Sequence, residues 1–234
     1  MKIKLKLFRY NPETDTKPHY KSYNVEGDES EKVLDLLHKV KWEQDGTLAF
    51  RRSCAHGICG SCAMTVNGEN ILTCEALIGN LKKQHTITVE PLPSLPVIKD
   101  LVVDMNNFYK KYTVIKPYLI NNNPPPPAER LQSIQEQRLI DESTWCIMCG
   151  ACSTSCPSNW SNPDFLGPAA LLKAYRFIFD SRDDGANERM NILDHSDGVW
   201  RCRTIFNCVE ACPKEIDVTY HLSQLKKAIV TREV

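Results

Sequence analysis

The sequence predicts an α+β protein in two parts, a mixed sheet-and-helix part followed by an all-helical part. Residues 2–7 alternate lysine with an aliphatic side chain, and this period of two is typical of a half-buried strand. Beyond residue 99 the apolar side chains recur every three to four residues, which indicates helices. A run of asparagine and proline at 121–127 favours an extended, stiff connection between the two parts.

The first part, residues 1–98, holds the predicted strands. They are expected at Lys2–Arg9, near Tyr20–Val25, and at Ala63–Val66, Asn70–Cys74 and Thr86–Glu90. Asn67-Gly68 lies between two of these strands and signals a tight hairpin. Apolar residues at helical spacing predict an amphipathic helix at Ser30–Trp42, with Ser30 as its N-cap.

The second part comprises a connection at residues 99–128 and a helical domain at residues 129–234. From Lys99 onward, the connection shows helical spacing before it reaches the run Asn121–Pro127. The domain is predicted to contain several short helices. The last of these places four apolar side chains on one face: Val218, Leu222, Leu225 and Ile229.

Charge and hydropathy exclude several classes of protein. The formal net charge is zero, so the sequence shows neither a basic nucleic-acid-binding surface nor an acidic disordered tail. Its longest apolar stretch, Leu166–Phe179, is interrupted by Lys173 and Arg176 and is shorter than the roughly 18 residues that a membrane span needs. The first residues read as a strand, so no signal or transit peptide is expected.

The 11 cysteines fall into three groups, with none outside them. An odd number of closely spaced cysteines argues against a closed disulfide framework and indicates metal ligands kept reduced as thiols. The first group has the C-x4-C-x2-C spacing of plant-type two-iron ferredoxins, followed by a fourth cysteine after the hairpin. Its members are Cys54, Cys59, Cys62 and Cys74. We therefore predict a [2Fe-2S] cluster there, with a zinc site as the alternative and His56 as a less favoured ligand.

The second group is the bacterial ferredoxin run C-x2-C-x2-C-x3-C-P, formed by Cys146, Cys149, Cys152 and Cys156. In two-cluster ferredoxins the fourth cysteine of such a run ligates the other cluster. The third group echoes this run but has only Cys202, Cys208 and Cys212, with Ile205 where a cysteine would stand. The exchange of fourth ligands predicts a [4Fe-4S] cluster on Cys146, Cys149, Cys152 and Cys212.

The exchange leaves Cys156, Cys202 and Cys208 for the other site, and Ile205 has no donor atom for a fourth iron. We therefore predict a [3Fe-4S] cluster at this site. A labile four-iron cluster with water or hydroxide on one iron and an empty, degenerate site are the alternatives.

With these motifs in this order, the chain resembles the iron–sulfur subunits of the succinate:quinone oxidoreductase family, which contains succinate dehydrogenases and fumarate reductases. The resemblance covers nearly the whole chain. It includes Ile115–Leu119, Cys152–Ser158, Ala174–Arg176, Asp180–Asp183 and the segments around Cys208 and Cys212. It implies an N-terminal β-grasp [2Fe-2S] ferredoxin domain and a C-terminal helical domain of the bacterial two-cluster ferredoxin type.

The resemblance also implies the function of a succinate dehydrogenase subunit in respiratory complex II. A separate flavoprotein subunit would oxidise succinate to fumarate at FAD. Electrons would then pass through the [2Fe-2S], [4Fe-4S] and [3Fe-4S] clusters to a quinone. One or two membrane-anchor subunits, which can carry haem b, would complete the quinone site. No residue of this chain is then catalytic toward succinate. The expected location is peripheral, on the cytoplasmic face of a bacterial inner membrane or, as second choice, the matrix side of the mitochondrial inner membrane.

Candidate quinone-site residues follow from the same resemblance: Pro157, Ser158, Trp160, Ser161, Arg203 and Ile205. Ser161 stands where ubiquinone-reducing relatives usually have a second tryptophan, and Arg203 where they have a histidine. Arginine donates hydrogen bonds but does not relay protons as histidine does. The functional alternatives are a quinol:fumarate reductase subunit, a standalone ferredoxin-type carrier and a zinc-bound structural protein.

Overall fold

The computed structural model describes residues 1–81 and 86–234 of the chain. The described chain divides into two compact units. The first unit comprises Met1–Met105 together with Ile147–Thr154, and the second comprises Asn106–Cys146 together with Ser155–Val234. The predicted bounds 1–98, 99–128 and 129–234 are sequence segments and stay a prediction.

The strands and helices alternate early in the chain, and helices follow later. The strands are β1 (Lys2–Arg9), β2 (His19–Glu26), β3 (Ala63–Val66), β4 (Glu69–Leu72), β5 (Thr86–Glu90), β6 (Val97–Lys99) and β7 (Val102–Val103). The first helices are α1 (Val33–Lys39), α2 (Ile78–Leu81), α3 (Asn106–Val114), α4 (Ile134–Thr144) and α5 (Ala151–Thr154). The later ones are α6 (Pro157–Ser161), α7 (Gly167–Ile178), α8 (Ala186–Leu193), α9 (Asn207–Glu210) and α10 (Val218–Thr231).

The main sheet of the first unit has the strand order β2-β1-β5-β3-β4, with β1 and β5 parallel and the other pairs antiparallel. The alternation in β1 buries Ile3, Leu5 and Leu7 and leaves the lysines exposed, as predicted. These side chains share one apolar core with the buried face of α1. A mixed sheet with a helix packed on one face is the predicted β-grasp arrangement, and the α+β class is confirmed.

The predicted helix at Ser30–Trp42 is shorter than expected. It begins at Val33, because Lys32 is extended and pairs with Leu77 in a β-bridge. Ser30 does not cap it, since both the amide and the hydroxyl of Ser30 donate to Asp28 Oδ1. After α1 the chain continues as a π-helical turn at Val40–Gln44.

The hairpin prediction is confirmed, but both boundaries of its second strand are corrected, since β4 begins at Glu69 rather than at Asn70. Asn67 and Gly68 both have positive φ, as a tight β3–β4 turn requires. Strand β4 ends at Leu72 rather than at Cys74, because the amides of Glu75 and Ala76 both donate to the Leu72 carbonyl and turn the chain. Strand β5 has the predicted bounds.

The helix predicted from Lys99 is wrong in its first turns. β6 and β7 pair there instead, and α3 begins only at Asn106. The cause is Asp100, whose backbone has positive φ and whose buried carboxylate accepts from Arg9 Nε at 2.9 Å, Tyr10 N at 3.0 Å and Ala49 N at 2.8 Å. This tertiary contact outweighs the local helical pattern.

The second unit packs its helices around α7, which contacts α3, α4, α8 and α10. Helix α4 begins with a capping box formed by Ser133 and Glu136. Helix α10 buries Val218, Leu222, Leu225 and Ile229, which confirms the predicted face. In the stretches 1–81 and 86–234, no helix is long and apolar enough to cross a membrane.

Candidate metal centres

The first cysteine group lies in a loop whose backbone amides point toward sulfur. The amides of Ile58 and Cys59 donate to Cys54 Sγ at 3.4 and 3.3 Å, and the Gly57 amide donates to Cys74 Sγ at 3.3 Å. Ala55, Gly57 and Gly60 have positive φ, which folds successive N–H groups inward. The loop is therefore built to hold anionic sulfur.

The four thiols of this group form two pairs. The Cys59 amide donates to Cys54 Sγ at 3.3 Å and the Cys54 amide donates to Cys59 Sγ at 3.5 Å, while burial and the neighbouring Cys62 thiol raise the pKa of Cys74. A two-iron cluster with four cysteine ligands takes two thiolates on each iron, so two pairs fit that donor set. The side chain of His56 is engaged elsewhere, since its Nδ1 donates to the Cys54 carbonyl oxygen at 2.6 Å.

The surroundings shift the thiol pKa values of this group in opposite directions. Hydrogen bonds from the His56 and Ile58 amides lower the pKa of Cys54 to about 6, which favours the thiolate that binds iron. A hydrogen bond with the Ser61 side chain lowers the pKa of Cys59 as well. Burial raises the pKa of Cys74 to about 12, so iron binding must displace a proton from this thiol.

The second and third groups share a backbone conformation. Met148 and Gly150 have positive φ in the second group, and Thr204 and Phe206 have positive φ at the equivalent distances from Cys202. A left-handed phenylalanine costs on the order of 1–3 kcal/mol and persists only where its surroundings require it. The repeated conformation aligns Ile205 with Cys149, as the sequence comparison of the two groups suggested.

The third site forms one pocket within the second unit. Cys156, Cys202 and Cys208 all line it, together with Ile205. Burial raises the pKa of Cys208 to about 11 and raises the pKa of Cys156 as well, so both thiols are held in apolar surroundings. Three thiols and an aliphatic side chain in one pocket fit a cluster with three protein ligands.

The ligands predicted for the [4Fe-4S] cluster are divided between the two units. Cys149 and Cys152 belong to the first unit, and Cys146 and Cys212 belong to the second. In residues 1–81 and 86–234, no three His, Cys, Asp or Glu side chains converge on the position of a single ion.

Comparison with known proteins shows iron–sulfur domains in both parts of the sequence. A family model described as a 2Fe-2S iron–sulfur cluster binding domain matches residues 4–110, and a 4Fe-4S dicluster domain matches residues 138–213. The succinate dehydrogenase iron–sulfur subunit of Paracoccus denitrificans is 44% identical over 97% of this chain and 88% of its own length. The chain belongs to the succinate dehydrogenase iron–sulfur subunits. A mitochondrial subunit of this kind from Oryza sativa subsp. japonica is 46% identical over 94% of this chain and 80% of its own length.

A solved structure supports the same family. A chain of the Mycobacterium smegmatis Sdh1 complex in the apo form superimposes with a TM-score of 0.87, at 28% identity, over 99% of this chain and 96% of that one. As a succinate dehydrogenase iron–sulfur subunit, the chain transfers electrons within a multi-subunit oxidoreductase. The family resemblance, the fold class and the electron-transfer function predicted from the sequence are confirmed.

Four of the six candidate quinone-site residues line the pocket of the third site: Pro157, Ser158, Arg203 and Ile205. Trp160 and Ser161 lie on α6 outside this lining. The side chain of Trp160 is 51% exposed, so it is not a core residue of this iron–sulfur subunit. Ser161 Oγ donates to the Ser158 carbonyl at 3.1 Å and accepts from Arg201 at 3.5 Å.

Sequence reasoning missed two lysines of this succinate dehydrogenase subunit. Lys173 on α7 donates to the Cys146 carbonyl, and Lys226 on α10 donates to the Cys202 carbonyl, each at 3.0 Å. Each lysine thus fixes the first cysteine of one run. Burial lowers the pKa of Lys173. Its position inside the apolar stretch Leu166–Phe179 was visible in the sequence as an interruption, and a charge in such a stretch signals a specific partner.

Proposed function

We propose that this iron–sulfur subunit carries single electrons from a flavoprotein subunit, where succinate is oxidised to fumarate, to a membrane quinone. When bound, the three clusters supply one-electron redox chemistry, and the protein supplies their spacing and environment. One or two membrane-anchor subunits complete the assembly. The named relatives are succinate dehydrogenase subunits, which supports this direction of the reaction.

The proposed ligands divide the cysteines into three sets. Cys54, Cys59, Cys62 and Cys74 hold [2Fe-2S], Cys146, Cys149, Cys152 and Cys212 hold [4Fe-4S], and Cys156, Cys202 and Cys208 hold [3Fe-4S]. The pocket that joins Cys156 to Cys202 and Cys208 carries the proposal, because it brings the last cysteine of one run to the cysteines of the other.

Ile205 would limit a cluster at the third site to three iron atoms. It occupies the position of Cys149 in the repeated loop and lines the pocket beside the three thiols. Its side chain has no donor for a fourth iron. The last cluster of the electron-transfer series would therefore have only three protein ligands.

The pocket is also the proposed quinone neighbourhood. Apolar side chains border it on the exposed side, with Ile205 47% and Phe206 51% exposed, and Trp160 lies nearby on α6. The Trp160 indole N–H and the Arg203 guanidinium are donors for a quinone carbonyl. Reduction of a quinone to a quinol takes two electrons and two protons. Arginine side chains do not relay protons, so both protons must come from other groups.

The complex is a peripheral component of a membrane assembly. We place this subunit on the cytoplasmic face of a bacterial inner membrane, since its cysteines must remain reduced until clusters are inserted. Proteolysis of the subunit in inverted vesicles, with protection in intact spheroplasts, is the expected result. Cleavage in intact spheroplasts but not in inverted vesicles would contradict a location on the cytoplasmic face.

Low-temperature electron paramagnetic resonance (EPR) of the purified complex, with iron and sulfide analysis, tests the cluster assignment. We expect a three-iron signal in the oxidised state, a two-iron signal after reduction and about nine iron atoms per chain. Iron bound without acid-labile sulfide would contradict the electron-carrier function. About ten iron atoms per chain with no three-iron signal would contradict the proposal that Ile205 limits the third cluster to three iron atoms.

A further inference from the structure

The loops of the first and second cysteine groups touch at Gly60. A β-carbon on Gly60 would lie 2.8 Å from both Cα and Cβ of Cys149 and 3.1 Å from the Ile147 carbonyl oxygen. Gly60, Ile147 and Cys149 all belong to the first unit, where Ile147 and Cys149 also pack against the apolar cluster that contains Cys62 and Cys74. The backbone contact therefore joins a loop proposed to ligate [2Fe-2S] to a loop proposed to ligate [4Fe-4S].

A buried asparagine makes a second contact between the segments that follow these two loops. Asn70 on β4 is 7% exposed, and its Nδ2 donates to Thr154 Oγ1 at 3.0 Å and to the Ala151 carbonyl at 3.4 Å. Its Oδ1 accepts from Thr65 Oγ1 at 2.7 Å, which fixes the orientation of the amide. The hairpin that bears Asn70 lies between Cys62 and Cys74, so the asparagine connects the frame of the first group to α5.

We propose that Gly60 and Asn70 are positioning residues that set the separation between the first two clusters. This inference depends on the ligand assignment proposed above. Electron transfer between two centres falls steeply with their separation, so a fixed contact between their loops fixes the rate. Gly60 supplies the close approach and Asn70 holds it against thermal opening.

The distance between Gly60 and Cys149 determines how far the Gly60→Ala substitution would separate the two loops. Carbon atoms in van der Waals contact lie about 3.5–4.0 Å apart, so Gly60→Ala must push the loops apart by about 1 Å. The atoms in the way belong to the Cys149 backbone and its first side-chain carbon, which cannot swing aside as a long side chain could. Gly60 also has a φ of 72°, so alanine there adds backbone strain as well.

Gly68→Ala is the matched control. Gly68 has a φ of 90°, and no atom lies within 4 Å of the position that a β-carbon would take there, so this variant carries the strain without the collision. The test uses the intact complex, reduced until both clusters are paramagnetic, and measures their magnetic spin–spin coupling by EPR. We expect weaker coupling in Gly60→Ala. Gly68→Ala should keep the wild-type coupling, iron content and signals of the separate clusters.

Asn70→Ala keeps the test decisive if Gly60→Ala fails to assemble. Amide hydrogen exchange in residues 150–154 should accelerate by about tenfold in this variant, because a buried hydrogen-bond partner is lost. Wild-type coupling in Gly60→Ala, or unchanged exchange and coupling in Asn70→Ala, would overturn the positioning role. Absence of the two-iron or four-iron signal from the wild-type complex would instead refute the proposed function.

Discussion

Arg189 offers a quantitative test of how the second unit holds the chain that precedes the asparagine–proline run. Its side chain is completely buried, and Nη1 donates to Asp183 Oδ1 at 2.6 Å. Its other nitrogens donate to the carbonyls of Ile115 at 3.1 Å and Tyr118 at 2.7 Å. Asp183 in turn accepts from the Ile120 amide at 2.9 Å. One guanidinium thus connects α8 to residues 115–120.

The perturbation is Arg189→Met, which keeps most of the side-chain volume and removes the charge. Breaking a buried ion pair by removing one partner costs about 3–5 kcal/mol, because the remaining charge stays buried without compensation. Since each 1.4 kcal/mol is a factor of ten, about 3 kcal/mol corresponds to at least about a 100-fold increase in local opening. Hydrogen exchange of the Ile120 and Asp184 amides, measured on the assembled complex, reports this opening.

The control is Lys116→Met, which removes the partly exposed ion pair between Lys116 and Glu188. Exposed pairs contribute about 0–1 kcal/mol, so exchange should change by less than about fivefold. Adding Asp183→Asn to Arg189→Met should recover part of the loss, because the uncompensated carboxylate is then absent. Equal exchange rates in Arg189→Met and Lys116→Met would refute the reasoning.

Three further variants test the metal centres. Ile205→Cys should supply a fourth ligand, so the three-iron EPR signal should be replaced by that of a four-iron cluster, with about one more iron per chain and a lower reduction potential. An unchanged signal and potential would show that Ile205 does not determine the type of cluster at the third site. Cys212→Ser should remove the four-iron signal and keep the three-iron signal, whereas the opposite loss would contradict the exchange of ligands between runs. Lys173→Met removes a positive charge and the donor to the Cys146 carbonyl, so the reduction potential of the [4Fe-4S] cluster should fall by about 40 mV, on the order of 1 kcal/mol. In the same redox titration the reduction potential of the [2Fe-2S] cluster should stay constant.

Much of the fold was predictable where local pattern and tertiary packing agree. The alternation in β1 and the helical spacing in α10 were both confirmed, because one face of each element is buried throughout its length. The pattern failed where a distant group decided the local conformation. Asp100 holds its segment by bonds to Arg9, Tyr10 and Ala49, so helix α3 starts later than its spacing indicates.

The candidate sites show the same division. Cysteine spacing predicted iron–sulfur clusters, and the matching 2Fe-2S and 4Fe-4S domain models confirm them, since ligation depends on the type of donor atom and on short loops that local sequence defines. The individual ligand sets and the role of Ile205 stay a prediction. Lys173 and Lys226 were not predicted, because their partners are backbone carbonyls 27 and 24 residues away, and carbonyls leave no mark in a sequence.

By itself, the sequence determined which chemistry this protein supports, because thiolate number and spacing limit what each loop can bind. Only the tertiary structure decided how close the first two loops lie and which residues hold them there. Asn70 and Thr154 are 84 positions apart in the chain, and Gly60 meets Cys149 through backbone atoms. Contacts of this kind arise when the chain packs, so no local pattern of residues encodes them.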